Sequence, residues 1–124
     1  MSNYAIFRAT EAARVELHDT LKLTGTEISI NTLPAGAGIP FVHRHTQNEE
    51  VYIVLEGKGL LHIDGQEQEI AEGDCFRIDP AGDRSLCADR ETGLKYICIQ
   101  ARAGSLENFT MTDAVITQGK ASWM

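Results

Sequence analysis

The sequence lacks the features that mark disulfide-rich, membrane-spanning and nucleic-acid-binding proteins. Its cysteines, Cys75, Cys87 and Cys98, are odd in number and contain no CxxC pair, which argues against a disulfide framework. The longest apolar run, Val51 to Leu55, falls far short of the ~20 residues that span a bilayer. Eleven Lys and Arg against 18 Asp and Glu give a net charge of −7, and no basic cluster offsets it. We therefore expect neither a membrane nor a nucleic acid as a partner.

The N-terminal stretch, residues 1–19, also lacks the uninterrupted apolar segment and the small-residue cleavage site of a signal peptide. We therefore expect a cytoplasmic protein with reduced cysteines. A chain of 124 residues buries roughly two-thirds of its unfolded surface, which is enough for one hydrophobic core and too little for two. The sequence predicts a single domain, residues 1–124.

Most of the chain alternates apolar and polar residues with a period of two, which is typical of β-strands. The pair Asp64-Gly65, between two alternating segments, is the strongest hairpin signal. About eight short strands at roughly ten-residue intervals predict an all-β sandwich or barrel, with helical turns only within residues 9–17 and 106–115. The candidate strands are residues 26–33, 41–45, 50–56, 59–63, 66–71, 75–79, 84–88 and 94–101.

Two histidines and a nearby glutamate form the most informative cluster of the sequence. On a strand, residues two apart project from the same side, so the imidazoles of His43 and His45 would lie side by side. Glu50 lies an odd number of residues from both and would face the other way on a continuous strand. A turn through residues 46–49 corrects this parity and brings the carboxylate beside the imidazoles. Two histidines and one carboxylate can hold a divalent metal.

The strand after this turn has two different faces. Glu50, Tyr52 and Val54 would share the side of the histidines. The opposite side is an apolar row that consists of Val51, Ile53 and Leu55. We expect a second copy of the chain to cover this row, because an exposed apolar strand invites association.

His43, His45, Glu50 and Gly57 resemble the first motif of the cupin family, which is a glycine, HxH, a glutamate and a closing glycine. Four residues separate His45 from Glu50, and six separate Glu50 from Gly57, as in the motif. The opening glycine corresponds to Gly38, one residue off the usual spacing.

A second stretch resembles the second cupin motif, which is a glycine, five residues, PxG, two residues, a histidine, three residues and an asparagine. Gly73, Pro80 and Gly82 follow it with one extra residue before the proline. Ser85 stands where the family has its fourth metal ligand, a histidine, and Asp89 stands where it has the asparagine.

The resemblance covers about residues 26–101 and implies a double-stranded β-helix, the jelly-roll cupin barrel, with short N- and C-terminal arms. It also implies a homodimer, since small single-domain cupins commonly form homodimers. Cupins that bind Fe, Mn, Ni or Zn mostly use three histidines and the glutamate. This chain retains His43, His45 and Glu50, which leave three positions of an octahedral ion open. The alternative is a former metal site whose residues no longer bind an ion and only form hydrogen bonds with each other inside the barrel.

Four further residues are candidates for a substrate pocket. Tyr52 would lie on its wall, and Arg84, at its mouth, would bind an anionic group or instead form a surface ion pair with Asp83. Ser85 would enlarge the cavity, because it is smaller than the histidine it replaces. Cys87, two residues further on, would approach the metal or remain a plain buried thiol.

The cupin resemblance leaves two functions open. One is a metal-dependent enzyme, of the dioxygenase or isomerase type, that acts on a small polar molecule. The other is a metal-free binding or sensor cupin that holds a small molecule without chemistry. No helix-turn-helix accompanies the barrel in this sequence, which favours the enzyme over a regulatory sensor.

Overall fold

The structure is a computed structural model that describes residues 2–124. It contains seven strands, one short helix and one 3-10 turn, so the predicted all-β class is confirmed. In chain order the elements are β1 (Arg14–Glu16), α1 (His18–Leu21), β2 (Glu27–Leu33), β3 (Asn48–Ile63), β4 (Gln66–Ala71), β5 (Cys75–Ile78), β6 (Arg84–Ala88), β7 (Leu94–Arg102) and the 3-10 turn Thr110–Thr112.

The strands form two layers that share β3, and every strand pair is antiparallel. One layer contains β1, β2, β7, the first half of β3 and β5, in that order. The other contains β4, the second half of β3 and β6. Because β3 passes from one layer to the other, it joins the two halves of the jelly-roll barrel.

Gly57 lies where β3 leaves the first layer. Its φ is +80°, and a Cβ at this position would stand 1.8 Å from the carbonyl oxygen of Gly93 on the neighbouring chain segment. The β3 and β7 pairing also shifts register between Val54 and Glu56. Only glycine combines this left-handed conformation with so close a backbone approach, so Gly57 allows one strand to serve both layers.

The period-two pattern places alternate side chains of each strand in the core. Tyr52 and Val54 of β3 are buried, whereas Val51, Ile53 and Leu55 on the opposite face are half-buried, as expected from the sequence. The buried core cluster comprises Tyr52, Val54, Leu61, Ile70, Ile78, Leu86, Ala88, Leu94, Tyr96 and Cys98.

The structure corrects three expectations for secondary structure. Residues 41–45 form no strand and make only one isolated bridge, through His43. The expected strands at 50–56 and 59–63 are one strand, because Gly57 bends β3 without ending it. Residues 9–17 contain the short edge strand β1 rather than a helical turn, and the helix follows at His18–Leu21.

The remaining strand predictions agree with the structure to within one or two residues at each end. The hairpin at Asp64-Gly65 is also confirmed, with φ of +49° and +81° at its two central residues. The expected turn of helix near the C-terminus is the 3-10 turn Thr110–Thr112. Among residues 2–124, no helix has both the length and the apolar character needed to cross a membrane.

We predict that Gly57→Ala destabilises the protein by at least ~2 kcal/mol more than Gly65→Ala, as measured by urea unfolding. Both glycines have φ near +80°, but a Cβ on Gly65 would meet nothing within 4 Å. Gly65→Ala therefore reports only the backbone strain, about 1 kcal/mol, and the difference isolates the clash with Gly93. Equal destabilisation by the two substitutions would contradict the close approach.

Candidate metal and anion site

An irregular segment, residues 36–45, positions the two histidines beside β6. His43 and Arg84 exchange both backbone hydrogen bonds, at 3.1 and 2.9 Å, and the His45 amide donates to the carbonyl of Pro80 at 2.9 Å. Ile39 also donates its amide to the Leu86 carbonyl. The segment is thus fixed to the barrel wall without being a regular strand.

His43, His45 and Glu50 converge on one point, as their spacing predicts. One potential ligand atom from each lies within 4.8 Å of the others. The imidazole rings meet edge to face, with centroids 5.2 Å apart. Glu50 faces inward because β3 begins at Asn48, after a bend through residues 46 and 47. The predicted parity correction is therefore present, in a shorter turn than expected.

Glu50 is the most heavily hydrogen-bonded side chain of the cluster. Its Oε1 accepts from the Tyr52 hydroxyl at 2.8 Å and from Arg84 Nη1 at 2.9 Å. Its Oε2 accepts from the Cys98 thiol at 3.2 Å and lies 3.3 Å from His45 Nε2. These donors fix the carboxylate in one orientation. Metal-binding carboxylates are commonly oriented by such hydrogen bonds.

Arg84 lies at the base of the site, not at its mouth. It is 0% exposed, and its Nη2 donates to the carbonyl of Asp79 at 2.7 Å. The expected surface pair with Asp83 does not form, since Asp83 binds Arg44 instead. The alternation of β6 turns Arg84 into the core, where the carboxylate of Glu50 compensates its charge.

The environment of Glu50 favours the ionised carboxylate. Burial alone would raise its pKa, but hydrogen bonds from Tyr52 and Cys98, together with the electrostatic influence of the neighbouring His45 and Arg84, hold the pKa below its ordinary value. Burial lowers the pKa of His43, so this imidazole is neutral at pH 7. A carboxylate and a neutral imidazole are the protonation states that a metal ion requires.

The other groups near the carboxylate remain protonated at neutral pH. Burial, together with the charge of Glu50, raises the pKa of the Cys98 thiol to about 12. Burial and the neighbouring Cys98 and Glu50 also raise the pKa of Tyr52 far above its ordinary value. Both side chains therefore act as hydrogen-bond donors to Glu50 and not as bases.

Three buried nitrogen atoms of the site have no hydrogen-bond partner among the described residues: His43 Nδ1, His45 Nε2 and Arg84 Nε. His45 Nε2 is close to Glu50 without the geometry of a hydrogen bond. Leaving a buried polar atom unpaired costs ~1–3 kcal/mol, so three at one place make this cluster a candidate ligand site.

These groups line a cavity of about 370 Å³. Its wall is formed by Arg14, Ser29, Ile39, Phe41, His43, His45, Glu50, Tyr52, Arg84, Ser85, Leu86, Tyr96, Cys98 and Gln100. This volume is near the lower end for a ligand pocket and suits a small molecule. Tyr52 lies on the wall as predicted, stacked on Phe76 at 5.1 Å.

Ser85 and Cys87 contribute less than their sequence positions suggest. Ser85 reaches the cavity wall, but its hydroxyl donates to the carbonyl of Ile39. In the pairing register Ser85 lies opposite His62, whereas Arg84 shares the inner face with His43. The side chain beside the cluster is therefore Arg84, although Ser85 occupies the motif position. Cys87 lies outside the cavity and lines a separate depression.

Several residues of the cavity were missed from the sequence, among them Cys98 and Gln100. Cys98 donates to Glu50, and Gln100 lines the cavity two residues further along β7. The alternation of Leu94, Tyr96 and Cys98 would have placed the thiol inside, but nothing in the spacing connects it with Glu50, which lies 48 residues away.

The comparison with known proteins identifies the family. The cupin domain pattern, Cupin_2, matches residues 29–99, and the chain therefore belongs to the cupin family. A crystal structure of a cupin protein from Bacteroides fragilis is 54% identical, with an alignment that covers 94% of this chain and 99% of that chain at a TM-score of 0.92.

More distant relatives resemble only part of the chain. A sugar phosphate isomerase structure from Silicibacter pomeroyi, 22% identical, covers 73% of this chain and 60% of that chain at a TM-score of 0.64, which is a likeness of fold. The oxalate-binding protein of Thermotoga maritima is 28% identical over 67 residues, which are 54% of each chain. The chain spans about half the length of the curated relatives it matches.

We predict that Arg84→Met destabilises the protein by about 3–5 kcal/mol, because it leaves the buried Glu50 carboxylate uncompensated. Arg44→Met, which breaks an exposed pair with Asp83, is the matched control and is expected to cost less than about 1 kcal/mol. Chemical unfolding measures both. If Arg84→Met does not fold, the double variant with Glu50→Gln is expected to recover part of the loss, and no recovery would contradict the pairing.

Proposed function

We propose that the chain binds a divalent transition metal, Fe, Mn, Ni or Zn, through His43, His45 and Glu50. The observation that carries this proposal is the pair of unpartnered buried nitrogens on the two histidines, beside a carboxylate already held in place. The donor set suits these metals, because imidazole nitrogen is a borderline ligand, carboxylate oxygen is a hard one, and both bind at distances of about 2.0–2.2 Å. A bound divalent ion supplies Lewis-acid chemistry.

We further propose that the ligand is a small anion. The charges of Glu50 and Arg84 cancel within the cavity, and the histidines that bind a metal are neutral. A bound dication would therefore keep its two positive charges in a partly buried space, which favours a negatively charged ligand. The unpartnered Nε of Arg84 is a further donor on the same wall.

One curated relative supports the proposal of an anionic ligand. The Thermotoga maritima protein is described as binding oxalate, a dianion small enough for a cavity of about 370 Å³. Oxalate is therefore a suitable probe for this class of ligand.

The site offers few side chains for proton transfer, which bears on the reaction type. Tyr52 and Cys98 stay protonated and donate to Glu50, and the histidines are assigned to the metal. An isomerisation needs a general base within hydrogen-bond reach of its substrate. Of the two enzyme classes considered, the arrangement therefore favours an oxygenase-type reaction over isomerisation.

A metal-free binding protein is the second candidate function. One observation favours it: Arg84 already neutralises Glu50, so the cluster is electrically balanced without an ion. In that case His43, His45 and Arg84 Nε would donate directly to a bound anion.

We predict that His45→Ala abolishes metal binding. Elemental analysis of protein purified without a nickel column measures the metal content. His62→Ala is the control, since this histidine lies outside the cavity and the cluster. Because burial lowers the pKa of His43, protons compete with the metal only below the ordinary histidine range near 6.5. Metal content should persist at pH 6.5 and fall at lower pH. Equal metal content in His45→Ala and the natural sequence would refute the ligand assignment.

We predict that oxalate raises the melting temperature of the metal-loaded protein, since a ligand at a hundredfold its Kd adds about 2.7 kcal/mol of stability. Arg84→Lys keeps the charge beside Glu50 but removes the Nε donor, and should weaken oxalate binding about 10- to 100-fold. Arg77→Lys, at an exposed ion pair, is the control. Binding that survives treatment with EDTA supports the metal-free candidate, and no binding in either state would refute the anion proposal.

A further inference from the structure

The inner face of β2 is polar, whereas most of the barrel interior is apolar. Ser29 is 3% exposed and Asn31 is 4% exposed, and they alternate with Ile28 and Ile30, which lie half-buried on the outer face of the strand. With its faces exchanged, β2 would bury its isoleucines and expose its polar side chains to water. Burial of polar groups is unfavourable unless they are hydrogen-bonded, so this orientation points to a role for the polar face.

Ser29 and Asn31 connect Arg14 to the cavity. Arg14 is the register neighbour of Asn31 on β1, and its Nη1 donates to Asn31 Oδ1 at 2.8 Å. Asn31 Nδ2 in turn donates to Ser29 Oγ at 2.9 Å. Both Arg14 and Ser29 line the cavity that contains Glu50. The buried amide of Asn31 therefore holds the guanidinium at the cavity wall.

Comparison with Arg77 shows that this support is not a general feature of exposed arginines in the chain. Arg77 pairs through Nε with Asp79, two residues further on, at 2.8 Å, and Arg14 pairs through Nε with Glu16 in the same way at 2.9 Å. Both pairs are exposed, and such pairs contribute little to stability. The Arg77 side chain makes no other hydrogen bond among residues 2–124 and lies outside the cavity. Arg14 is held by a buried partner as well.

Arg14 retains hydrogen-bond donors for a ligand. Its bonds to Glu16 and Asn31 use the Nε hydrogen and one of the two Nη1 hydrogens, and the Nη2 hydrogens have no partner among residues 2–124. The edge formed by Nη1 and Nη2 can bind a carboxylate or a phosphate with two parallel hydrogen bonds. The side chain is 54% exposed, so it lies at the entrance of the cavity.

Arg14 and the candidate metal cluster lie far apart on one wall of the cavity. In the larger sheet, β2 and β7 separate β1 from β3, so Arg14 and Glu50 belong to strands roughly 14 Å apart at the usual strand spacing. Ser29 and Cys98, which are paired neighbours on β2 and β7, lie between them, and Cys98 contacts Glu50 at 3.2 Å. Hydrogen-bonding side chains therefore line the wall from the cluster to Arg14.

The cavity has room for a molecule larger than oxalate. Its volume of about 370 Å³ equals that of roughly twelve water molecules in the liquid. In oxalate the two carboxylates are joined directly, so an oxalate ion beside Glu50 would not reach Arg14. A longer molecule can contact both ends of the wall.

We propose that the ligand of this cavity carries a second acidic group, a carboxylate or a phosphate, and that Arg14 binds this group. The inference rests on the anion-binding function proposed above and adds the shape of the ligand to it. The first acidic group is a carboxylate next to a hydroxyl, because the cluster leaves positions of a bound ion open for two ligand oxygens. The second group displaces the exposed Glu16 from Arg14. Ser29 faces the part of the ligand between its two ends.

Pairs of acids that differ only at the far end test this proposal. Lactate and malate are both 2-hydroxy acids, but malate and the longer 2-hydroxyglutarate have a second carboxylate. Glycerate and 3-phosphoglycerate are the corresponding pair for a phosphate. Calorimetric titration of the full chain, loaded with Mn²⁺ and again after EDTA treatment, measures the affinities. In at least one state, one doubly acidic compound should bind about 10- to 100-fold more tightly than its singly acidic partner. The pair with the larger ratio identifies the second group.

Three variants of the full chain assign this affinity ratio to Arg14. Arg14→Met should abolish the ratio and leave the affinities for lactate and oxalate unchanged, whereas Arg77→Met, the matched control, should retain it. Glu16→Gln removes the exposed competitor and should raise the affinity for the doubly acidic compound by up to about fivefold, with no change for its partner. An Arg14 that only fastened β1 to β2 would affect both members of a pair alike. If Arg14→Met does not fold, the exposed substitution Glu16→Gln still decides between these roles.

Three results would overturn the proposal. If oxalate or lactate binds but no doubly acidic compound binds more tightly than its partner, the ligand has no second acidic group, and the anion-binding function stands without it. A ratio that survives Arg14→Met assigns the second group to another residue. If none of these acids binds in either state, the anion-binding function itself is wrong and this inference fails with it.

Discussion

The buried ion pair between Glu50 and Arg84 determines how the candidate site is built. Glu50 comes from the half of β3 that lies in the larger sheet, and Arg84 begins β6 in the smaller one. Their contact at 2.9 Å therefore joins the two layers inside the barrel. Either charge alone would be costly at this depth, so each residue requires the other. The orientation of the carboxylate toward His45 follows from this pairing and from the hydroxyl of Tyr52.

The pair also gives the site a charge that differs from that of a metal centre with three histidines and a glutamate. The guanidinium of Arg84, an inward-facing side chain of β6, contacts the cluster, and its positive charge cancels the negative charge of the Glu50 carboxylate. The net charge of a metal-loaded cavity therefore depends on the ion alone. The same residue supplies a buried donor, Nε, that pairs with no group among residues 2–124. In the proposed function, the same side chain would both pair with Glu50 and contact the ligand.

Much of this arrangement could be predicted from the sequence, because it follows from local rules. The period of two located most strands, the Asp64-Gly65 pair defined a hairpin, and the distance between the HxH pair and Glu50 required a turn that the structure contains. The inward direction of Arg84 could not be predicted, since motif spacing pointed to Ser85, one residue further on. A one-residue offset on a strand exchanges the inner and outer faces, and only the register with neighbouring segments fixes it.

Gly57 illustrates another limit of the sequence. A glycine between two alternating segments indicates a turn, yet β3 continues through it. The reason is tertiary: the backbone of Gly93, 36 residues later, passes too close for a side chain at this point. The edge strand β1 was missed for a similar reason, because three residues carry too little pattern to reveal a pairing that depends on β2.

The shared strand β3 has a consequence for biosynthesis. Its second half pairs with β4 through a tight hairpin and can form as soon as both segments leave the ribosome. Its first half, which contains Glu50, pairs along its length with β7, which ends at Arg102. Pairing across so long a stretch of chain is slow and must wait for translation to reach β7. The nascent barrel therefore completes its two-layered wall around Glu50 last, and a metal ion would meet the assembled cluster only after nearly the whole domain has been synthesised.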